Sequence, residues 1–423
     1  MNEATAALGI EAISVYVPRH YLDLRDLAEV NGVDPRKYND GLGCLRMAIP
    51  SPYEDPVTMG WEAAAALLEN YRVDREGIGL LAVGTESGVD AAKPVAAYLH
   101  GLLDLSRSCR TFDTKHACYS ATAALRHALG WCSLPANRGR QALVVATDIA
   151  RYPVGSPGEP TQGAGAVAML VSDRPHCLQL EPYPEAVYAE QVMDFWRPNY
   201  SAEAMVDGRV SVDSYLRALE YTWRQYAGNS GLGLDDYDHL LFHAPFAKMV
   251  HKAYRRVCQL QAGAGTEPGA AQFERHCLPA VWACQELGNL YSGSLYVLLA
   301  ALLERLQERA SGARLGLFSY GSGCCAEFFS ARVGPRAVHW RGKIGLEAGL
   351  LRRQRLDYQT YLDFRAAATA FNRDGSYWQA VAGWGNGQPV SFLGIRSHQR
   401  VYATATRQPA QALEYSARAR VVK

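Results

Sequence analysis

Cys118 stands in the stretch Lys115-His116-Ala117-Cys118-Tyr119-Ser120-Ala121-Thr122-Ala123-Ala124-Leu125. The spacing predicts a thiol at the first turn of a helix of small residues, entered from an extended segment over 109–114. A helix N-terminus presents unpaired N–H groups and a partial positive charge, and both favour thiolate over thiol. Alanine, serine and threonine after the cysteine let other backbone come close. A buried structural cysteine fits the same residues, so the thiol needs partners before it counts as a nucleophile. His243 is one. In His239-Leu240-Leu241-Phe242-His243-Ala244-Pro245-Phe246 an apolar run ends in an imidazole and a proline breaks it. That places the ring at the C-terminal end of a buried strand, where α/β sheets keep their sites. Glu86 is the other, closing Leu80-Leu81-Ala82-Val83-Gly84-Thr85-Glu86. A carboxylate kept dry at a strand end has a raised pKa and suits a general base. Singly, His243 reads as a satisfied core histidine and Glu86 as a helix cap or a surface residue. Together the three supply what a thiolate enzyme needs.

The elements that must hold these groups alternate. Strands are predicted over 9–17, 80–85, 142–146 and 165–171, then from residue 239, over 314–320 and over 325–333. Helices are predicted over 23–31, 57–70, 94–103, 118–132, 212–227, 248–260 and 294–307. Residues 36–52 read as an irregular polar loop near an entrance. Residues 336–390 read as basic and irregular, with weak helices over 346–353 and 358–369, and 392–396 as a last edge strand. Such alternation implies a layered α/β protein. The glycine-rich stretch 161–165 lacks G-x-G-x-x-G spacing and does not lead a strand into a helix, so it is not a dinucleotide site. Gly163 and Gly165 read instead as points of close backbone approach. No internal repeat is visible at residue level.

The 423 residues are 48% hydrophobic and 20% charged, with a formal net charge of +1. This is the composition of an ordinary soluble globular protein, and it gives no reason to expect a nucleic-acid surface. Local basic clusters remain available to an acidic partner. The ten cysteines are scattered, with no C-x-x-C pair, so no metal site is expected and a reducing cytoplasm is. No basic, apolar leader opens the chain, and no apolar run approaches the roughly 18 residues of a membrane span.

Six segments carry a resemblance: Gly84-Thr85-Glu86-Ser87, Ala117-Cys118-Tyr119, Pro160-Thr161-Gln162-Gly163-Ala164-Gly165-Ala166-Val167-Ala168, Phe242-His243-Ala244-Pro245-Phe246-Ala247-Lys248, Gly288-Asn289-Leu290-Tyr291-Ser292-Gly293-Ser294 and Phe318-Ser319-Tyr320-Gly321-Ser322-Gly323. In this order and spacing the chain resembles the 3-hydroxy-3-methylglutaryl (HMG) synthases, a branch of the thiolase-like condensing enzymes, from Gly9 to Tyr402. The resemblance implies a thiolase-like α-β-α-β-α layered fold with two pseudo-related halves. One half is 1–176, with the nucleophilic cysteine; the other is 238–335, with the histidine and asparagine. Residues 177–237 connect them and 336–423 form a family-specific extension. A homodimer is implied as well.

By the same resemblance, Cys118 takes an acetyl group from a thioester, and Glu86 removes a proton from the acetyl methyl. The backbone N–H groups of Cys118 and Ser322 hold the enolate oxygen. His243 polarises the acceptor's β-ketone, Asn289 meets the acceptor thioester, Thr161 lines the acetyl pocket, Tyr152 is a pocket tyrosine, and Lys248 lies near the carrier's phosphates. No cofactor is expected to be permanently bound; the phosphopantetheine of an acyl carrier protein (ACP), or coenzyme A, carries the substrates. Two positions depart from the pattern. His116 stands where mevalonate-pathway members carry Asn or Glu and is expected to point away from the chemistry, and Ser120 replaces glycine or alanine.

Two branches of the family compete. Pro52-Tyr53-Glu54-Asp55-Pro56-Val57-Thr58, Glu86-Ser87-Gly88-Val89-Asp90 and Lys115-His116-Ala117-Cys118-Tyr119-Ser120 look like the β-branching enzymes of polyketide assembly, which join acetyl from a donor ACP to a β-ketoacyl chain on an acceptor ACP. Residues 161–168 and Asp194-Phe195-Trp196-Arg197-Pro198 are shared with bacterial mevalonate-pathway enzymes, which join acetyl-CoA to acetoacetyl-CoA. β-Branching is the favoured expectation. Arg36, Lys37, Lys248, Lys252, Arg255 and Arg256 form a candidate basic rim for acidic carriers. An inactive thiolase-fold protein that only binds carriers is disfavoured by the intact Cys118, His243 and Glu86. A decarboxylating ketosynthase is disfavoured by Asn289, where a second histidine would be needed.

Overall fold

The structure, a computed structural model, describes residues 7–368 except 264, 266 and 268, together with 376–378 and 389–404. Ten strands form its main sheet: Gly9–Tyr16 (β1), Ile78–Gly84 (β2), Arg110–Thr114 (β3), Gln141–Ile149 (β4), Ala164–Ser172 (β5), Leu178–Leu180 (β6), Ala186–Ala189 (β7), His239–Phe242 (β8), Arg314–Gly321 (β9) and Cys325–Val333 (β10). Their order is β8-β9-β10-β6-β1-β5-β4-β2-β3, with β7 also paired to β10. β2 and β5 are buried at every residue, the pattern of strands covered on both faces.

The pairing repeats itself. β2-β4-β5-β1 are joined parallel, antiparallel, antiparallel. β8-β9-β10-β6 are joined in the same sense. The two sets meet where β1 pairs antiparallel with β6. The duplication that the residues hide is plain in the hydrogen-bond ladder.

Eight helices build the layers: Pro56–Asn70 (α1), Val95–Leu102 (α2), Ser120–Ser133 (α3), Gly208–Ser230 (α4), Ala247–Ala262 (α5), Leu278–Leu287 (α6), Ser294–Leu306 (α7) and Tyr358–Ala367 (α8). α1 starts at a capping box between Asp55 and Thr58, with proline in its first turn. Asp207 caps α4, and Gly231 closes it at φ +73°. α1 and α2 cover one face of the first set, where Val57, Met59 and Leu99 join Leu81, Val83 and Val145 in one core. α3 lies on the opposite face, against β2 and β4. α7 is apolar and buried over most of its length, as a central helix must be, and it touches β1, β8 and β9. Thr122 on α3 bonds Tyr296 of α7 and Ser319 of β9, each at 2.7 Å. On the far side of the second set, Trp223 and Tyr226 of α4 pack on Phe328 at ring separations of 5.1 and 5.3 Å. The layers run α-β-α-β-α, as the resemblance implies.

Several expectations need correction. Residues 36–52 are not irregular: they contain the short helix Arg36–Asn39 and the strand Arg46–Ile49, which pairs with His20–Asp23. The burial of Met47, Ala48 and Ile49 explains the strand, and its four residues are too few to show a period. Two helices, Ala270–His276 and α6, were not anticipated. The last edge strand is real but lies off the main sheet. Val390–Arg396 pairs with Gln399–Thr404 and with Tyr377–Trp378 in a small sheet of its own. The predicted helix over 358–369 ends at Ala367, and residue 369 falls outside the described residues.

Glycine fixes two close approaches. A Cβ at Gly84 would sit 2.4 Å from Cα of Ala121, so β2 and α3 touch through backbone. Gly288 has φ +76°, and a Cβ there would lie 1.8 Å from the Gln162 carbonyl oxygen. The stretch 161–165 is pressed against this segment, as expected of Gly163. Gly288→Ala should therefore lower stability by about 2 kcal/mol or more. Gly130→Ala, in helical conformation with open space around it, should raise stability by about 0.5–1 kcal/mol. Urea unfolding of the two variants measures both signs.

Candidate active site

Cys118 is not inside the helix. It lies two residues before Ser120, where α3 begins, in a tight turn. The Tyr119 N–H donates to the His116 carbonyl at 3.0 Å, and the Ser120 hydroxyl donates to the Ala117 carbonyl at 2.9 Å. Ala117 has φ +42°, a sparsely populated region for a residue with a side chain. A Cβ at Gly321 would fall 2.5 Å from the His116 carbonyl oxygen, so the Gly-Ser-Gly turn after β9 rests directly on the nucleophile turn. His116 itself stands edge-on to the Tyr119 ring, and its Nε2 has no partner among the described residues.

The Cys118 Sγ donates to Oε1 of Glu86 at 3.3 Å. This bond, not the helix end, governs the thiol. Burial and then the Glu86 carboxylate push the Cys118 pKa well above the ordinary thiol value, the reverse of the thiolate expectation. Burial also pushes Glu86 up, to about 8, helped by the nearby charge of Asp148. A carboxyl group titrating there is matched to proton transfer near neutral pH.

Asp148 was not singled out from sequence, although it is a polar residue at the end of an apolar strand, the signal that pointed to Glu86. It is fully buried. Its Oδ1 accepts from the Thr85 hydroxyl and from the amides of Glu86 and Ser87 at 2.9–3.0 Å. Its Oδ2 accepts from the Ser292 amide at 3.1 Å and from the Ser292 hydroxyl. Arg197 donates to the backbone carbonyl of Glu86. Glu86 is thus held through its own backbone.

A cavity of about 470 Å³ opens over the thiol and is lined by Cys118, Tyr152, Thr161, His243, Asn289 and Ser322 together. The Glu86 carboxyl reaches it through the Cys118 thiol. The His243 backbone N–H donates to the Phe318 carbonyl and its backbone carbonyl accepts from the Tyr215 hydroxyl, each at 2.8 Å. Burial pushes the ring down to about 3, so it enters neutral-pH chemistry as an uncharged imidazole with one N–H. The Asn289 Oδ1 is taken by the Tyr291 amide and the Ser294 hydroxyl, each at 2.9 Å, which leaves its NH₂ for the cavity. Asn289 N–H donates to the Thr161 carbonyl at 3.0 Å, tying the two halves at this point. Tyr291, Phe195, Phe246, Met249 and Tyr320 also line the cavity. All but Met249 lie in segments that the sequence marks out, but only their side-chain direction, invisible in sequence, brings them to the cavity.

Lys248 does not line the cavity. It is exposed on the first turn of α5, beside the lining residues Phe246 and Met249, and its N–H donates to the Leu42 carbonyl at 2.9 Å. Of the other candidate rim residues, Arg36 is paired with Asp34 at 2.6 Å, Arg255 with Glu267, and Arg256 with Glu220 at 3.7 Å. Among the described residues Lys37, Lys248 and Lys252 have no ion pair, and Lys252 lies over the Phe246 ring at 5.9 Å. The rim is narrower in free charge than its residue types imply.

Residues 5–175 match the family profile of the hydroxymethylglutaryl-coenzyme A synthase N-terminal part, and residues 178–262 and 264–367 match that of the C-terminal part. The chain belongs to the hydroxymethylglutaryl-CoA synthase family. It is accordingly a condensing enzyme that forms a carbon–carbon bond by aldol-type acyl transfer. It is 41% identical to the hydroxymethylglutaryl-CoA synthase of Enterococcus faecalis over 77% of this chain and 83% of that one. It is 35% identical to the polyketide-biosynthesis 3-hydroxy-3-methylglutaryl-ACP synthase PksG of Bacillus subtilis, over 84% and 86%. Among solved structures, MvaS in complex with 3-hydroxy-3-methylglutaryl coenzyme A superposes with a TM-score of 0.87 at 40% identity, covering 94% of this chain and 99% of that one. The curacin-pathway HMG synthase in complex with holo donor-ACP gives 0.87 at 33% identity, covering 94% and 100%. Among the described residues of this HMG synthase, no helix is long and apolar enough to cross a membrane.

The thiol–carboxyl pair makes a chemical prediction. Alkylation of Cys118 by iodoacetamide should be slower than that of free cysteine at pH 8 and should rise with pH, because the thiol pKa is raised. Glu86→Gln removes the negative charge that raises it, so its Cys118 should react faster at the same pH. Peptide mass spectrometry of quenched time points reads both rates, and equal rates in the two proteins would contradict the coupling.

Proposed function

We propose that this HMG synthase acts in polyketide β-branching: it condenses acetyl from a donor ACP with the β-ketone of a β-ketoacyl chain on an acceptor ACP. The observation that carries the reading is convergence. The segments 86–90 and 115–120, which look like the β-branching group, meet at the Glu86–Cys118 bond, and 52–58 and 86–90 line a common cavity beside it. Lys248 and Lys252, exposed next to the mouth of the main cavity and without ion pairs among the described residues, suit the acidic face of a carrier. A related HMG synthase has been seen in complex with donor ACP.

The proposed steps use groups already described. Cys118 passes its proton to Glu86 as sulfur attacks the donor thioester, and Glu86 gives that proton to the leaving carrier thiolate, which restores the carboxylate. Glu86 then takes a proton from the acetyl methyl, while the N–H groups of Cys118 and Ser322 hold the enolate oxygen. Neutral His243 donates a hydrogen bond to the acceptor ketone, and Asn289 NH₂ meets the acceptor thioester carbonyl. Carbon–carbon bond formation leaves an alkoxide, which takes the proton back from Glu86. Water releases the product from sulfur as a carboxylate. Tyr152 and Thr161 shape the acetyl pocket, and Lys248 lies where a phosphopantetheine or coenzyme A phosphate would pass. The second reading, a mevalonate-pathway enzyme using acetyl-CoA and acetoacetyl-CoA, is favoured by the 41% identity to the E. faecalis synthase and uses the same machinery. A cytoplasmic homodimer completes the proposal. β3 is an outer strand of the sheet with no second neighbour among the described residues, and twofold pairing there would satisfy its backbone.

Incubation with an acetyl donor should add one acetyl mass to the wild type, on Cys118, and none to Cys118→Ala. Glu86→Gln should still acetylate but condense about 100-fold or more slowly. In stopped assays, acetyl-ACP should be a far better donor than acetyl-CoA. Lys248→Glu with Lys252→Glu should slow transfer from acetyl-ACP, less so at high salt, and leave transfer from acetyl-CoA little changed at Lys252→Glu alone. Efficient turnover of free acetyl-CoA and acetoacetyl-CoA, with no preference for a carrier, would favour the mevalonate reading. Light scattering at micromolar concentration should give a dimer mass.

A further inference from the structure

A second cavity, of about 250 Å³, shares no lining residue with the one over the thiol. Three guanidinium groups line it, on Arg151, Arg197 and Arg400. Its carboxylates are already engaged. Asp55 is 2.7 Å from Arg400 Nη2 and 2.7 Å from the Tyr402 hydroxyl. Glu54 accepts from the Tyr16 hydroxyl at 2.6 Å and from the Ser51 amide at 2.7 Å. Arg197 spends one N–H on the neutral backbone carbonyl of Glu86. The Arg151 side chain has no hydrogen bond or ion pair among the described residues. Burial, with Arg365 and Arg197 close by, pushes its pKa down to about 10. Among the described residues, Arg151 and Arg197 thus share one pocket without an ion pair, and Glu203, the carboxylate that bears on Arg151, is already paired with Arg365. Leaving a drying guanidinium unpaired is costly, and its forked N–H groups fit carboxylate and phosphate oxygens in pairs.

We propose that this cavity is a binding site for a small oxyanion, either inorganic phosphate or a small carboxylate, held by Arg151 and Arg197. The site is coupled to the reaction through Arg197. Glu86 is faced by Cys118, Asp148, Tyr152, Tyr291, Lys115 and Arg197. Of these, the positive charges on Arg197 and, less strongly, Lys115 favour the ionised carboxylate. An anion on Arg197 offsets that charge, so Glu86 holds its proton to higher pH and less base is present near neutrality.

The test uses the full chain at constant ionic strength, with sodium phosphate or malonate replacing chloride. Either anion should raise the Tm of the wild type saturably, by about 1–3 °C. Arg151→Gln should be at least as stable as wild type in chloride, since it removes an unpaired charge, and should lose the response. Response to one anion alone supports the site and identifies its source. No saturable response, or an equal response in Arg151→Gln, overturns it. The acid limb of the condensation rate should move to higher pH in the stabilising anion, by about half a unit. This second readout rests on Glu86 being the base, which Glu86→Gln tests separately. Stabilisation without movement of the limb, in an enzyme where Glu86→Gln abolishes condensation, overturns the coupling.

Discussion

The buried carboxylate of Asp148 is the joint on which the site depends. One oxygen gathers the end of β2 and the start of the Glu86 loop, and the other gathers the segment just before α7. Five donors on one buried carboxylate repay most of the hydration it has lost. In return they fix the backbone of Glu86 against the segment that carries Asn289. The same charge adds to the effect of burial in raising the Glu86 pKa. One residue thus fixes the position of the Glu86 carboxyl and adds to its basicity without lining the cavity over the thiol.

Much of this was legible in the chain. The strand before Glu86 is fully apolar and the helix after Cys118 is long, so both declare themselves by composition; the short strand before His243 was marked by its apolar run and by the proline that follows it. Gly163 was read as a point of close backbone approach, and the structure presses it against the backbone of Leu287 and Asn289. What escaped was short or three-dimensional. The strand Arg46–Ile49 carries too few residues for a period, and α6 is apolar on so much of its surface that it shows weak periodicity. Asp148 carried the same strand-end signal as Glu86, but its importance lies in five donors drawn from sequence positions as far apart as 85 and 292. The two halves share a pairing pattern without sharing residues, because a ladder constrains hydrogen-bond sense and burial but not side-chain identity.

The thiol shows how a local rule yields to a tertiary contact. A helix N-terminus favours thiolate, yet the helix begins two residues later, and a carboxyl group occupies the space beside sulfur. Cys118 and Glu86 form one proton-sharing unit, in which a charge on either raises the cost of a charge on the other. The protonated thiol is then favoured at rest, and a thiol is a poorer nucleophile than a thiolate.

The antiparallel pairing of β1 with β6 has a mechanical consequence. Backbone hydrogen bonds cross the seam between the two strand sets, and α3 and α7 are bolted together beneath it. The sets cannot swing apart as hinged lobes without tearing that ladder. The frame moves as one body, so any widening of the cavity over the thiol must come from its margins: the turns after β8 and β9, the start of α4, and the loop that carries Leu42.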